Sequence, residues 1–394
     1  MRWPQTRAVM AALTAGGGEA RFVGGAVRNA LLGEKVTDVD IATPLTPDDV
    51  TARLRKAGLQ AVPTGIEHGT VTAIAEGKPF EVTTLRRDVS TDGRRAVVAF
   101  TKDWAEDAGR RDFTMNALYA SADGEIFDPT GGVEDLKAGR VRFVGDPATR
   151  IREDYLRILR LFRFHAWYGK GAIDKAALAA ATAEKAGLKK LSGERLQKEL
   201  LKLLAARDPV AVLGEMEKAG ILSEILPGLS LARLQGLVRL DDEEHIPPDA
   251  ILRLAALLPG DKAVESLAEK LKFSNADSTR LVALSNAGKI PPGLSEQQAR
   301  ALLYRHGAAQ FRDTVRLHWA ADGKHAQQWR ALLQLADKWQ RPKFPLDGRD
   351  AMSAGVKEGP AVGKILVELE NWWIESDFKP DRATLLARLK LKSN

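Results

Sequence analysis

Asp38 and Asp40 are two residues apart in a predicted extended run that spans residues 38–42. In a β-strand, residues two apart point to the same face, so these two carboxylates would project side by side. Like charges so close repel each other, and a divalent cation between them makes the arrangement favourable. Magnesium takes oxygen ligands from one or two carboxylates and completes its shell with water and phosphate oxygens. The spacing therefore predicts a metal site at these two residues.

A glycine pair, Gly24-Gly25, lies upstream of the aspartates, between a short apolar run and a helix-compatible segment at residues 26–32. Glycines have no side chains, so their backbone N–H groups can approach a polyphosphate closely. Arg28, one helical turn further on, supplies a positive charge for the same ligand. An isolated Asp-x-Asp or Gly-Gly pair is usually structural. Together, on strand–turn–helix–strand spacing, they predict a site for a nucleoside triphosphate and a metal.

Glu81 lies in an alternating strand pattern at residues 80–84, where it can face the two aspartates as a third carboxylate. A solvated strand position is the alternative for this residue. The polar segment that follows, residues 86–101, carries four arginines around an Asp-Gly turn. It predicts either a surface hairpin or a loop that acts on substrate. These arginines are Arg86, Arg87, Arg94 and Arg95.

Arg111 and Asp112 lie in an Arg-Arg-Asp sequence just before another apolar strand. A guanidinium donates two parallel hydrogen bonds to a phosphate, which makes Arg111 a candidate phosphate ligand. Asp112 can accept hydrogen bonds from a sugar hydroxyl. The alternative for both residues is a surface ion-pair cluster.

Asp154, Arg157 and Arg160 are spaced i, i+3, i+6 in a predicted helix over residues 151–168. On a solvated face they would form an ion pair worth only a few tenths of a kcal/mol. Alternatively, they read a base. Cytosine and adenine each present an amine donor beside a ring-nitrogen acceptor, so a carboxylate can accept from the amine while an arginine donates to the nitrogen. Uracil and guanine reverse both polarities, so an Asp–Arg pair would select C and A together.

The elements that must position these residues change character along the chain. Up to about residue 140, extended runs separated by one or two helices predict a single sheet with helices on one side. One of these helices is predicted at residues 46–57, with Thr46 as N-cap and Pro47 at N1. From about Pro147 onward the pattern is helical nearly to the C-terminus, with a boundary predicted at Lys289-Ile-Pro-Pro-Gly.

The composition of the 394-residue chain is that of an ordinary globular protein of two or three domains, with 44% apolar and 28% charged residues. No run approaches the roughly 18 apolar residues of a membrane span. The chain has no cysteine, which excludes disulfides and thiolate metal sites and fits a cytoplasmic location. The net charge of +7 indicates an anionic partner, with nucleic acid favoured.

Four motifs together resemble the class II nucleotidyltransferases, which comprise bacterial CCA-adding enzymes and their poly(A) polymerase relatives. They occur in the family's order over residues 21 to about 200. The motifs are GGAVRN with DVD, RRDFTMNAL, EDYLRILRLFRF and SGERLQKEL. One departure is Asn29, which stands where the glycine motif usually ends in Asp.

The resemblance implies an α+β fold with a polymerase β-like nucleotidyltransferase head of mixed sheet, followed by an all-helical neck, body and tail. The implied domains are residues 1–142, 143–205, 206–288 and 289–394, respectively. In this family, Asp38 and Asp40 would hold the catalytic metals, here Mg²⁺. Residues 86–101 would match the flexible loop that the family needs for the final A. The strand pattern, rather than the resemblance, makes Glu81 the third candidate catalytic carboxylate.

The family pattern also implies the nucleotide contacts. Asp154 and Arg157 would act as a protein template that selects CTP or ATP, while tRNA lies along the helical part. The remaining candidate nucleotide-binding residues are Gly24, Gly25, Arg28, Arg111, Asp112, Arg160 and Arg163. Basic residues expected to follow the tRNA backbone include Lys185, Lys189, Lys190, Lys198 and Lys202.

The expected reaction is attack of a tRNA 3′-hydroxyl on the α-phosphate of CTP or ATP, with release of pyrophosphate. A poly(A) polymerase or an A-adding enzyme would share the carboxylates, the glycines and much of the neck. A non-catalytic RNA-binding protein would need the basic helical half but not Asp38 and Asp40. No protein partner and no membrane association are predicted.

Overall fold

A computed structural model describes residues 3–91, 96–226, 228–259 and 263–393. The chain divides into two compact units, residues 1–227 and 228–394. The first unit holds a mixed β-sheet followed by helices, and the described part of the second unit is helical. None of the described helices combines the length and the hydropathy that a membrane span requires.

The first unit is built on a seven-stranded sheet with strand order β3-β4-β5-β2-β1-β8-β9, plus a separate two-stranded hairpin, β6-β7. The β2–β5 pair is parallel, and the other pairs are antiparallel. This mixed sheet followed by helices confirms the predicted α+β class. The strands are β1 (Arg21–Val23), β2 (Asp40–Thr43), β3 (Gln60–Gly65), β4 (Thr70–Ala75), β5 (Lys78–Thr84), β6 (Arg86–Thr91), β7 (Ala96–Phe100), β8 (Tyr119–Ala120) and β9 (Ile126–Phe127).

Eleven α-helices of the described residues belong to this unit. The helix predicted at residues 46–57 is confirmed as α3: the Thr46 hydroxyl accepts a hydrogen bond from the Asp49 N–H at 3.2 Å, and Pro47 occupies N1. The helices are α1 (Pro4–Thr14), α2 (Gly25–Leu32), α3 (Pro47–Lys56), α4 (Trp104–Gly109), α5 (Gly132–Ala138), α6 (Pro147–Glu153), α7 (Leu156–Tyr168), α8 (Lys175–Ala183), α9 (Gly193–Leu204), α10 (Val210–Lys218) and α11 (Leu222–Ile225).

The single helix predicted over residues 151–168 is wrong, because the chain breaks between α6 and α7. Asp154 is extended, with φ −155° and ψ 106°, and its carboxylate accepts a hydrogen bond from the Leu156 N–H at 3.1 Å. Such local side-chain bonding competes with helix continuation. The Tyr155 ring also packs on Gly187, where an added Cβ would lie 2.0 Å from the ring. Asp154 therefore lies between two helices rather than on the face of one.

The extended runs predicted at residues 38–42 and 80–84 correspond to β2 and β5, and β3 is an additional strand. The strand β3 was not predicted because most of its side chains are exposed or half-buried, so no apolar alternation marks it. The antiparallel pairing of β6 with β7 agrees with the hairpin alternative for residues 86–101. In addition, β2 begins at Asp40, so Asp38 lies just before the strand rather than inside it.

The second unit contains nine α-helices among its described residues. Its 27-residue helix α16 bends at Gly307, whose φ of 81° and ψ of 160° are accessible only to glycine. The helices are α12 (Leu231–Glu243), α13 (Ala250–Leu257), α14 (Ala263–Lys270), α15 (Asn275–Ser285), α16 (Glu296–Asp322), α17 (Ala326–Lys338), α18 (Gly348–Ser353), α19 (Pro360–Glu375) and α20 (Arg382–Ser393).

Two clusters hold this unit together. An apolar core includes Tyr304, Leu369 and Trp373, the last only 3% exposed. Elsewhere, the buried carboxylate of Asp241 accepts hydrogen bonds from Arg253 at 3.2 Å and Arg316 at 2.5 Å. Because one anion serves two cations inside the protein, this ion triad makes the helical unit sensitive to loss of the central charge.

Candidate active site

Asp40 and Glu81 are neighbours on the parallel strands β2 and β5, where they are paired in register. Both side chains are exposed, while the next residues, Ile41 and Val82, are buried, so the strand alternation turns both carboxylates to the open face. Asp38 is also exposed, and the buried Val39 separates it from Asp40. The strand alternation therefore places Asp40 and Glu81 on one face, while Asp38 lies just outside the strand and acts on Asp40 through its charge.

The three carboxylates influence one another electrostatically. Crowding by surrounding protein atoms raises the pKa of Asp40, and the negative charges of Glu81 and Asp38 raise it further. The positive charge of Arg111 acts in the opposite direction. Negative charge is thus concentrated at this end of β2.

This arrangement suits a cation held by two carboxylates. Across the described residues, no group of three or more His, Asp or Glu side chains is arranged to hold a metal, so Glu81 does not complete a three-ligand site with the aspartates. Magnesium needs no such group, because phosphate and water oxygens can complete its shell. The mutual repulsion at Asp40 is what a bound cation would relieve. The donor set at Asp38 and Asp40 therefore fits Mg²⁺.

The glycine pair forms the turn from β1 into α2. Gly24 has φ 67° and ψ −122°, which favours glycine, and Gly25 begins the helix. A Cβ at Gly24 would lie 3.6 Å from Nη1 of Arg111, so this guanidinium lies over the turn. The first N–H groups of α2 have no partner within the helix, which makes this end suited to an anion. Arg111 therefore lies close to both the turn and Asp40.

Arg28 is an internal link rather than an exposed charge. It is 7% exposed, and burial lowers its pKa. Its guanidinium donates hydrogen bonds to Asn116 Oδ1, to Asn29 Oδ1 at 3.0 and 3.1 Å, and to the Tyr168 hydroxyl at 3.0 Å. It thereby joins α2 to α7. The Asn29 amide also donates to the Lys35 carbonyl at 3.3 Å, which an aspartate could not do.

Arg111 is held from behind by a buried pair. It donates to Asp107 and to the Tyr119 hydroxyl, each at 3.1 Å, and Tyr119 donates to Asp107 at 2.7 Å. Burial would raise the pKa of Asp107, but Arg111 and Arg110 hold it below its usual range. Asp107 is therefore a charged support for Arg111, and the sequence motif did not identify it.

Asp112 is already fully engaged by protein donors. Its Oδ2 accepts from Arg160 Nε at 2.8 Å and Nη2 at 2.5 Å, and its Oδ1 accepts from Asn116 at 3.0 Å and from the Phe113 N–H at 2.8 Å. A carboxylate has about four lone-pair sites. A sugar hydroxyl would have to displace one of these donors, so the structure favours Asp112 as a support for Arg160.

Asp154 and Arg157 lie close in sequence but pair with other residues. The Asp154 carboxylate accepts from Arg195 of α9 at 2.7 Å. Arg157 donates to the Arg150 carbonyl at 2.7 Å and pairs with Glu153. The predicted i, i+3, i+6 row is therefore wrong for Asp154, which lies outside α7, while Arg157 and Arg160 do share that helix.

The helix α9 supplies ion-pair partners for the candidate residues of α7, and the sequence analysis gave these partners no role. Glu199 is 5% exposed and pairs with Arg163 at 2.6 Å, and it lies 3.6 Å from Arg160. Arg163 also lies over the Phe164 ring at 4.1 Å. The motif SGERLQKEL carried a usable signal, because Arg195 and Glu199 are four residues apart and so lie on neighbouring turns of one helix.

Within the segment 86–101, the strands β6 and β7 pair antiparallel. At its base the Arg86 N–H donates to Asp107 at 3.2 Å and its guanidinium to the His68 carbonyl. The Phe100 ring lies against Gly69, where a Cβ would be 2.7 Å away. The predicted turn and its arginines, Arg94 and Arg95, lie outside the described residues.

Similarity to known proteins extends over nearly the whole chain. Residues 20–142 match the "Poly A polymerase head domain" family, and residues 172–232 match the "Probable RNA and SrmB- binding site of polymerase A". The chain is 36% identical over 388 residues to the mitochondrial CCA tRNA nucleotidyltransferase 1 of Danio rerio, covering 94% of this chain and 87% of that protein.

Bacterial relatives agree with this result. The chain is 33% identical to the CCA-adding enzyme of Levilactobacillus brevis, covering 97% of this chain and 96% of the relative. Its fold matches the crystal structure of the Bacillus stearothermophilus CCA-adding enzyme in complex with CTP, with a TM-score of 0.82, 28% identity and coverage of 98% and 96% of the two chains. The chain therefore belongs to the class II tRNA nucleotidyltransferases, the family of the CCA-adding enzymes.

Proposed function

We propose that the protein is a CCA-adding tRNA nucleotidyltransferase, which adds C, C and A to the 3′ end of tRNA from CTP and ATP and releases pyrophosphate. The observation that carries the proposal is the juxtaposition of Asp38, Asp40 and Glu81 beside a glycine turn covered by Arg111. The full-length similarity to CCA-adding enzymes supports the same reaction.

In this proposal Asp38 and Asp40 hold Mg²⁺, and Glu81 maintains the negative field beside them. When bound, the metal would lower the pKa of the attacking hydroxyl and neutralise negative charge on the triphosphate. The start of α2 at Gly25 offers backbone N–H groups to the phosphates, whereas the Gly24 N–H already donates to the Leu118 carbonyl at 3.0 Å. These residues would orient the α-phosphate for in-line attack.

The arginines around this turn divide into those that contact the triphosphate and those that hold the site together. Arg111 faces the turn directly, supported by Asp107. Arg160 and Arg163 extend the positive surface along α7. Burial would lower the pKa of Arg160, but the charges of Asp112 and Glu199 raise it, so its guanidinium stays charged. Arg28 contributes by joining α2 to α7, which fixes the spacing between the turn and these arginines.

Selection of the base is assigned to Asp154 and Arg157. A carboxylate that accepts from the exocyclic amine and a guanidinium that donates to the ring nitrogen fit both C and A. With U or G, the carboxylate would face a carbonyl oxygen and the guanidinium would face an N–H, so neither could form a hydrogen bond. Each unsatisfied group would cost about 1–3 kcal/mol. Asp154 pairs with Arg195 and Arg157 pairs with Glu153, so each reading group is directed by a separate support.

The division into head, neck, body and tail at residues 1–142, 143–205, 206–288 and 289–394 is part of the proposal. The match of the head family up to residue 142 supports the first boundary. The tRNA would be bound by charge and shape along the helical part, which makes its affinity salt-dependent. A cytoplasmic location fits the substrates and the cysteine-free sequence.

Single-nucleotide extension tests the function. Purified protein is incubated with a tRNA that ends before its CCA, and with CTP, ATP, UTP or GTP separately. We expect two additions with CTP alone and one further addition when ATP is supplied after CTP. Extension by ATP alone into a long tail would indicate a poly(A) polymerase. Addition of A only to a tRNA that already ends in CC would indicate an A-adding enzyme.

A further inference from the structure

Trp167 is an exposed aromatic residue at the end of α7 that the proposed reaction does not use. Its side chain is 49% exposed, although a large apolar ring is normally buried. The indole N–H donates to the Lys202 carbonyl at 2.8 Å, in the last turn of α9. Helix-end carbonyls lack intrahelical partners, so this bond satisfies one of them and holds the ring in a fixed orientation.

Two lysines lie on α9, the helix whose backbone the indole contacts. Lys198 and Lys202 are both exposed and are four residues apart on α9, so they lie on one side of the helix. Arg195, which pairs with Asp154, lies one turn before Lys198. At 1.5 Å per residue, the row from Arg195 to Lys202 extends about 10 Å. It therefore leads from the proposed base-selecting residues to the exposed indole.

We infer that Trp167, Lys198 and Lys202 form an RNA-binding surface on which an unpaired base stacks on the indole while the lysines contact neighbouring phosphates. This inference rests on the proposed function, which supplies the RNA. Basic residues beside an aromatic ring are the combination that binds single-stranded nucleic acid, because every base offers a π-face and every phosphate a charge. The ring is already fixed by its N–H bond, so little side-chain entropy remains to be lost on stacking.

Affinity measurements on variants separate stacking from charge. A fluorescently labelled tRNA that ends before its CCA is titrated with protein at several salt concentrations. We expect Trp167→Leu, which keeps apolar packing but cannot stack, to bind about tenfold more weakly at every salt concentration. Trp167→Phe should bind within about threefold of the wild type. Lys202→Gln should lower the slope of log affinity against log salt by about 0.7–0.9, whereas Trp167→Leu should leave that slope unchanged.

Leu31→Ala is the control, because Leu31 is an apolar residue of α2 that is 43% exposed and is not part of the proposed surface. Thermal denaturation checks that each variant is folded, and Trp167→Met provides a second non-aromatic side chain. The inference is overturned if both non-aromatic variants bind within twofold of the wild type, or if they change the salt slope as Lys202→Gln does. Nucleotide incorporation by the wild type is measured in parallel. If the wild type incorporates nucleotides but the Trp167 variants bind tRNA as tightly as the wild type, only the RNA-binding surface is overturned. If the wild type binds tRNA tightly but does not incorporate nucleotides, only the proposed function is contradicted.

Discussion

Arg195→Gln tests whether base selection depends on the support of Asp154. In the structure the Arg195 guanidinium donates to the Asp154 carboxylate at 2.7 Å, and the two side chains are only 27% and 23% exposed. Glutamine removes the positive charge and shortens the side chain. Asp154 lies in the break between α6 and α7, where the Leu156 N–H holds its Oδ1 at 3.1 Å and Arg195 holds its Oδ2. We therefore expect its carboxylate to lose its fixed direction.

The expected loss of discrimination follows from the hydrogen bond that a misdirected carboxylate would fail to accept from the amine of the base. A charge-assisted bond of this kind contributes about 1.5–3 kcal/mol, and partial exposure of the pair reduces the effect to about 1–2 kcal/mol. That range corresponds to a loss of roughly 5–30-fold in discrimination. The loss should appear as a lower ratio of kcat/KM for CTP over UTP and for ATP over GTP.

The assay measures single-nucleotide incorporation with each of the four nucleotides, and the control is Arg152→Gln. Arg152 pairs with Glu184 at 2.7 Å, but its side chain is 61% exposed and it does not contact Asp154. We expect this control to keep the wild-type ratios. In a double-mutant cycle with Asp154→Asn, the two effects should be strongly non-additive. Wild-type ratios in a folded Arg195→Gln protein would refute the idea that Arg195 positions the base-selecting carboxylate.

Three further predictions address the metal site, the hairpin and the helical unit. Asp40→Asn should lower incorporation by at least about 10²-fold and leave tRNA affinity within about twofold, because the change removes a metal ligand and not an RNA contact; residual wild-type incorporation would contradict the metal assignment. Phe100→Ala, which removes the ring packed on Gly69, should reduce A addition at least fivefold while C addition stays within about twofold, and equal losses would contradict a role of the hairpin in the final step. Asp241→Asn should destabilise the protein by about 3–5 kcal/mol in denaturant titration, because the buried Arg253 and the mostly buried Arg316 both lose the charge of Asp241. The exposed pair of Arg312 and Asp337 is the control: Asp337→Asn should cost less than about 1 kcal/mol, and similar costs would show that the buried triad has no special importance.

The carboxylates of the head could be predicted from the sequence because their positions depend on local alternation. Strand periodicity gives the face of Asp40 and Glu81, and the buried Val39 between the aspartates gives that of Asp38. Pairing of β2 with β5 then brings Asp40 and Glu81 together. Apart from the register of β2 with β5, these positions depend only on residues in and next to the two strands.

The environment of Arg28 could not be predicted from the local sequence pattern. An arginine one turn after a glycine pair matches a phosphate ligand by type and spacing. Its burial depends on Asn116, from the segment before β8, and on Tyr168, at the end of α7. These partners are 88 and 140 residues away in the chain, so no local pattern could indicate that the guanidinium is occupied. The structure thus changes the role of Arg28 from a direct contact to a link between elements.

The break at Asp154 has the same origin and a functional consequence. The charges and apolar residues of this segment suit a continuous helix, and only the contact of Tyr155 with Gly187 and the pairing of Asp154 with Arg195 interrupt it. In a continuous helix, Asp154 would lie at i−3 to Arg157, and the two opposite charges would neutralise each other. Because the break gives each residue a different partner, the carboxylate can accept a hydrogen bond from a base while the guanidinium donates one to it. The same contacts join Asp154 to residues 187–195, within the segment that matches the RNA-binding family. RNA bound along α9 would therefore act on the position of the carboxylate that we propose selects the nucleotide.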